Sequence, residues 1–560
     1  MNPRNPTAMK PILLSLGALV FLTHGALGQS FTYVTESSQT TITGFSAEPS
    51  GTVTVPVTLN GATVSTIERG AFKDRTGITG IAFAAGSGVT KIGSGAFQGC
   101  TGLTSISFPS GMTALPAQAL QGCTALQSLT LPTALLSIGD SAFSDCRSLA
   151  SVSLPSTLAS IGQAAFSNCR GLTSMTIPSG VTAIPDQAFL ECRLLGSISL
   201  PAGITKIGQS AFFDCPGFTS FSLPASTTSV GNDAFGNCTG ITSFTINAAL
   251  TTLGDRAFNG CTALAAINVN SSNATFASTD GVLFNKAGNT LLLCPPGKAG
   301  GYAIPSSANT ISAGAFAHCS SLTSVSFPTT LGALPADAFY YANGISSLSL
   351  PTSLSSIGDW AFAGCTGLEG VVIPASVTTL GADAFHHAAA LEWALFKGNA
   401  PATGAEAFDD TAEAFTVFYQ ASATGFTSPS WLGYPAQMLG VPVTVADWLV
   451  AAGFSPGTNV ESDPNGSGVS LLLAYALGLD PNANPVAGLP RPVLANGLLS
   501  LSFKGNISGI SYSVETSGDL SSWTTTGVTM SSPDSNGIRT ASIPTSGGDS
   551  SRFLRIIAGF

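Results

Sequence analysis

The sequence predicts a repeat solenoid, built on a parallel β-sheet with short 3₁₀ or helical turns and followed by a small all-β C-terminal domain. Three observations predict it. A heptad that alternates apolar residues with serine or threonine returns as "LTSISFP" from Leu103, "LQSLTLP" from Leu126, "LTSMTIP" from Leu172 and "LGSISLP" from Leu195. An "AF" pair, once "AL", marks each repeat. Its second residue recurs at a constant step at Phe97, Leu120, Phe143, Phe166, Phe189, Phe212, Phe235 and Phe258, and at the same step from Phe316 to Phe408. Charged residues make up only 9% of the 560-residue chain, against about 25% in ordinary soluble domains.

The elements follow in chain order. Residues 1–28 read as a secretory signal peptide: Arg4 and Lys10 flank the start of an apolar run, and "ALG" before Gln29 predicts cleavage after Gly28. Residues 29–70 read as an N-terminal cap, and residues 71–397 as the repeat array. In "SLASVSLPSTLASIGQAAFSNC", from Ser148 to Cys169, the run "ASVSLP" alternates with the period of a strand. Pro155 ends that strand because it cannot donate to a ladder. "STLASIG" is a second extended piece turning at Gly162, and "QAAFSNC" is long enough only for a single helical or 3₁₀ turn. One such unit cannot bury its apolar face alone, whereas a stack can.

From Phe258 to Phe316 the step is longer, one period plus an insertion. The extra residues, at about 270–304, read as a β-hairpin with strands near 282–284 and 290–293, decorating one edge of the array. Residues 398–440 read as a C-terminal cap. Residues 441–485 form a connector, and residues 486–560 a β-sandwich-like module with alternating strands.

The stretch "PSTLASIGQAAFSNCRGLTSMTI", from Pro155 to Ile177, resembles the 23-residue, BspA-type leucine-rich repeat surface and secreted proteins of bacteria. The resemblance extends over roughly residues 31–439. It implies a right-handed solenoid with a parallel sheet along one face. It also implies adhesion or protein recognition. At ~4.8 Å per rung, fourteen landmarks give an array on the order of 65 Å long. The tail "LSLSFKGNISGISYSVETSGDLSSWTTTGVTM" resembles β modules that end many exported proteins of Verrucomicrobia-like bacteria.

Eight cysteines, Cys100 to Cys261, sit at the third position after successive landmarks; Cys319 and Cys365 hold the same slot, and Ala342 and Ala388 replace it. Equivalent residues of a solenoid stack with parallel side chains, which suits neither a disulfide dihedral near 90° nor converging zinc ligands. A buried free-thiol ladder is expected.

Candidate chemistry is sparse. After residue 28 only His318, His386 and His387 remain, too few for a hydrolase site. "GFSPG" around Ser455 has the nucleophile-elbow spacing but no histidine after it, and reads as chance. His318 and His387 share one slot three rungs apart, ~14 Å along the stack, and the side chains of His386 and His387 are expected to diverge. No cofactor and no metal site is expected there. In "DPNGSGVSLLLAYALG" the residues Asp463, Asn465 and Ser467 hold the first three positions of a calcium loop, but Ala474 stands where a carboxylate is required. They are weak metal candidates in a degenerate loop, and "LLLAYALG" reads as a short amphipathic helix.

The candidate contact patch lies near the end of the array. Residues after the landmark are small or polar in early repeats. Later they become His318, Tyr340, Tyr341, His386 and His387, with Trp360 nearby. Exposed aromatics on a rigid scaffold are typical interface anchors. Along the sheet face the slots of Ser105 and Ser107 hold serine or threonine as far as Ser243 and Thr245, and again at Ser324, Ser326, Ser347 and Ser349, before Gly370, Val372, Trp393 and Leu395. Trp393 is therefore added to the patch.

A net charge of −10 without basic clusters argues against nucleic acid and against anionic membrane surfaces. No later apolar run reaches the ~18 residues of a transmembrane anchor. The expected function is a secreted or cell-surface binding protein for an extracellular protein or glycan. The alternatives are a structural spacer and a carbohydrate-binding surface protein.

Overall fold

The computed structural model describes residues 30–439 continuously, and beyond them mainly residues 470–477, 493–495, 498–505, 510–517, 520–534, 536–544 and 553–559. The signal peptide, Ser455, Asn465 and Ser467 lie outside the described residues.

Residues 30–439 form a solenoid. Most rungs contribute one strand to a main parallel face and a two-residue strand to a second one. In the main sheet Ser105–Ser107 pairs with Ser128–Thr130, Ser174–Thr176 with Ser197–Ser199, and Gly370–Ile373 with Trp393–Phe396, all in parallel and in register. The second ladder joins Ala114–Leu115, Ser137–Ile138 and Ser160–Ile161. The run at 150–155 forms no strand, so the main sheet is interrupted there.

The "AF" segment forms the expected single turns, closed by i→i−3 hydrogen bonds such as Gln98 N–H to Gly95 O and Cys100 N–H to Phe97 O, and does not extend into a helix. It folds as linked tight turns whose amides alternate between local and inter-rung acceptors. Ala96 N–H donates to Gly93 O, while Phe97 N–H donates to Ala119 O of the next rung at 2.9 Å. Two residues per rung adopt left-handed backbone, such as Ser141 (φ 53°) and Asp145 (φ 61°), and this is what lets every second N–H face along the stack.

The alternation drives the core. Ile106 and Phe108 point inward and are buried, while Ser105 and Ser107 are exposed. The landmark phenylalanines form a column. Phe166, Phe189 and Phe212 are fully buried, with ring centroids 5.4 and 5.5 Å apart and nearly parallel planes. Burying each such ring stabilises the stack by about 1.5–3 kcal/mol.

All eleven cysteines are free and buried, the ten in the repeat slot as the periodicity predicts and Cys294 of the insertion with them. Their slot also satisfies a carbonyl. Cys169 Sγ donates to Phe143 O at 3.1 Å and Cys192 Sγ to Phe166 O at 3.1 Å, each reaching back to the preceding rung. A small apolar side chain with a weak donor therefore fits this slot.

The insertion is not an edge decoration. Phe276–Thr279, Val282–Asn285 and Thr290–Leu293 form an antiparallel meander, and Thr290–Leu293 then pairs in parallel with Thr310–Ile311. Val282, Leu283, Phe284 and Leu291 are buried. The apolar core divides here: one cluster runs from Phe31 to Leu283 and the next from Val282 to Ala436. The insertion is the joint between two arrays.

Antiparallel hairpins close both ends, Phe31–Glu36 with Gln39–Phe45 and Ser430–Trp431 with Tyr434–Leu439. Further along, Leu498–Lys504 pairs antiparallel with Ile538–Pro544, and Ser511–Ser517 with Phe553–Gly559. Phe503, Val514 and Ala541 form a small core with Leu477. The helix Leu471–Leu477 buries all but one of its residues rather than a single face. Ala474, at the last calcium-loop position, is among them.

Candidate functional site: an aromatic edge beside a cleft

The site lies on the turn column of the second array. Landmark phenylalanines fix the depth of each rung, and the two following residues project at the outer edge. The constant repeat period then places equivalent side chains one above another.

The structure brings six of the seven patch residues together. His318 stacks on Tyr341 with centroids 5.8 Å apart and an interplanar angle of 10°. Tyr340 meets Tyr341 at 4.6 Å and Trp360 at 6.4 Å, both edge-on. Trp360 meets His386 at 5.6 Å, and His386 lies 4.1 Å from His387. These contacts make one continuous ladder of rings. Tyr341 and Trp360 remain 38% exposed, so the ladder presents an apolar face to solvent.

Backbone geometry marks the same residues. The second position after the landmark is left-handed in every rung. Elsewhere it is mostly Gly, Asp or Asn, as at Gly99, Asn168, Asp214 and Asn237, but here it is His318 (φ 60°), Tyr341 (φ 55°) and His387 (φ 55°). A bulky residue in this conformation costs roughly 1–2 kcal/mol.

His387 does not diverge from His386, contrary to the expectation from adjacency. The left-handed turn at His387 brings both rings to the same side. The nitrogen and oxygen atoms of His386, His387 and Asp410 fall within 4.8 Å of one another, and so do those of Asp383, His386 and Glu406.

Trp393 is not part of this edge. It points to the outward side of the main sheet as its register requires, yet it is only 4% exposed. It packs with Leu395 and Leu439, against Val372 and Phe418. Its ring lies over Gly370, where an added Cβ would sit 2.1 Å from it. The change from serine to Gly370 thus seats a structural tryptophan. The rest of the sheet face is bland: Ser128, Thr130, Ser174, Thr176, Ser197 and Ser199 are all exposed hydroxyl residues.

Beside the ring ladder, the joint between the arrays leaves an open cleft of about 820 Å³. One wall carries Tyr340, Trp360 and Asp337; the other carries Asp255, Arg256 and Asn259. Arg256 reaches Asp233 at 3.4 Å and stays largely exposed. Asn259 Oδ1 is buried without a hydrogen-bond partner. Burial raises the Asp337 carboxyl above its usual range, with Arg256 opposing and Asp359 reinforcing the shift. Burial also holds His318 below its usual value, which favours its neutral, stacking form. The cleft can therefore offer flat apolar faces together with planar polar groups. Sequence reasoning missed Asp255, Arg256, Asn259 and Asp337, because only the insertion's fold brings the two arrays' edges to one opening.

Several known proteins are similar to this chain. The family described as BspA type leucine rich repeat region matches in six copies, over residues 65–195, 164–280 and 301–414. Similar solved structures include a leucine rich cell surface protein from Faecalibacterium prausnitzii, with 22% identity, a TM-score of 0.45, and coverage of 79% of this chain and 99% of that one. A leucine-rich repeat protein from Bacteroides ovatus has 22% identity, a TM-score of 0.43, and coverage of 74% and 98%. The T. pallidum leucine rich repeat protein has 30% identity and a TM-score of 0.32, covering 34% of this chain and 87% of its own. No curated protein matches the chain. Because the repeat matches extend over more than half of its length, the chain belongs to the BspA-type leucine-rich repeat family.

Proposed function

We propose that this protein is a non-enzymatic, exported binding protein that acts at or outside the cell surface and recognises an extracellular protein. Recognition lies on the turn edge of the second array. The observation that carries this reading is the ring ladder from His318 to His387, with Tyr341 and Trp360 exposed on a rigid stack. Tyrosine and tryptophan dominate interface energetics when a partner desolvates them. The exposed serine and threonine ladders supply no comparable anchor. Export rests on the N-terminal sequence, and among the described residues no helix is long and apolar enough to cross a membrane.

The cleft favours a second reading, in which the ligand is a glycan. Trp360 and Tyr340 offer faces for sugar rings, and Arg256, Asn259 and Asp337 offer hydrogen bonds to hydroxyls. One experiment addresses both. Labelled full chain is titrated onto matrix proteins and onto glycans from its native surroundings. Saturable binding that Tyr341→Ala and Trp360→Ala reduce at least tenfold is the expected result. Saturable binding that ignores both substitutions would overturn the edge as the recognition site, and no saturable binding at all would return the protein to a spacer role.

A further inference from the structure

We propose that His386, His387 and Asp410 form a binding site for a divalent transition-metal ion, with Asp383 and Glu406 on its flank. The repeat itself assembles the set. His387 and Asp410 occupy one slot in consecutive rungs, and so do Asp383 and Glu406, each pair separated by a single repeat period. Stacking places the members of each pair about one rung rise apart, ~4.8 Å. Within each triad, His386–His387–Asp410 and Asp383–His386–Glu406, one ligand atom per residue lies within 4.8 Å of the other two.

Three observations point to an ion rather than to an incidental polar cluster. His386 Nδ1 is buried and has no hydrogen-bond partner; Asp383 Oδ1, at 3.7 Å, is too far to accept one. His387 Nδ1 lies 3.1 Å from Asp410 Oδ2, and a ligand atom of His386 lies within 4.8 Å of the ligand atoms of both. His387 holds the left-handed backbone, φ 55°, that turns its ring toward His386.

The donor set selects the metal. Two imidazoles with a carboxylate suit zinc, cobalt, nickel or copper, whereas calcium and magnesium prefer oxygen ligands throughout. Bonds of ~2.0–2.2 Å require the ligand atoms to draw together. The side chains of His387 and Asp410, 55% and 63% exposed, are free to turn that way. A bound ion would tie the last two "AF" rungs together at the end of the ring ladder. This site stands independently of the proposed partner.

The test is calorimetric titration of the full chain with Zn²⁺, paired with Co²⁺ absorption. Expected is one equivalent bound with Kd of about 10 μM or tighter, and a Co²⁺ spectrum of nitrogen and oxygen ligation without thiolate bands. His387→Asn and Asp410→Asn should each weaken binding by about tenfold or more. His318→Asn, in the same slot three rungs away, should leave it unchanged. Asparagine tolerates the left-handed backbone, so the metal-free melting temperature should hold in all three variants. His386→Gln is a second arm that leaves this backbone untouched. Absence of binding, binding indifferent to His387 and Asp410, or thiolate ligation would each overturn the site.

Discussion

From Phe97 to Phe258 the second position after the landmark carries Gly99, Gly122, Asp145, Asn168, Glu191, Asp214, Asn237 and Gly260; from Phe316 to Phe408 it carries His318, Tyr341, Gly364, His387 and Asp410. The backbone is the same in both arrays, left-handed at each of these residues. The landmark rings stack alike, at 5.4 Å for Phe166 with Phe189 and 5.2 Å for Phe385 with Phe408. The outer edge differs. The first array covers it with small residues and exposed ion pairs, such as Arg170 with Glu191 at 2.8 Å and Arg193 with Asp214 at 2.7 Å, which contribute about 0–1 kcal/mol each. The second covers it with rings. Inward residues specify the stack, and the residues outside it are free to vary.

The largest expected contrast is at alkaline pH. Burial raises the thiols of Cys192 and Cys261 to about 12 and that of Cys100 to about 11. In the unfolded chain a thiol ionises near its ordinary value of 9.0. Below that pH the thiols are neutral in both states and cost nothing. Above it the unfolded chain releases protons that the folded chain retains, so stability falls as pH rises from about 9 toward 12. Each thiol removes about 1.4 kcal/mol per pH unit in that window. The first array holds eight column cysteines, Cys100 to Cys261, and the second holds Cys319 and Cys365. The first array should open at lower pH. Residue-resolved alkylation between pH 8 and 11 checks this: Cys192 and Cys238 should label before Cys365.

A single-site contrast comes next. Phe189→Ala removes a fully buried ring between Phe166 and Phe212 and should cost about 3–5 kcal/mol in urea denaturation. Ligand binding should persist under native conditions, because the ring ladder belongs to the other array. A smaller effect is expected for Cys169→Ala. It loses the sulfur and its donation to Phe143 O, at about 1 kcal/mol, since Ala342 and Ala388 fill that slot elsewhere. The smallest should have the opposite sign. Tyr341→Gly relieves a tyrosine at φ 55° and should raise or preserve the melting temperature while weakening binding.

The inward half of the molecule was legible because it is periodic. Ile106, Phe143 and Cys146 repeat their environments once per rung, and one repeat implies all the others. His318, Tyr340, Tyr341 and Trp360 were legible as departures from that period. Asp410 could have been found by adding one period to His387. The cleft could not, because Arg256 and Asp337 meet only through the path the insertion takes between them. Trp393 shows a further limit. Alternation correctly placed it on the outward face, but it could not reveal that Leu439 and Phe418 pack around it there.

The most direct test of the central claim compares two sets of substitutions in one binding assay. Tyr341→Gly with Trp360→Ala alters the edge of the second array, and Ser128→Asp with Ser174→Asp places charges on the exposed sheet face. Saturable binding of labelled full chain to its extracellular target should fall at least tenfold with the first pair and stay within twofold of wild type with the second. Loss of binding with the sheet-face pair, and retention with the edge pair, would contradict the account.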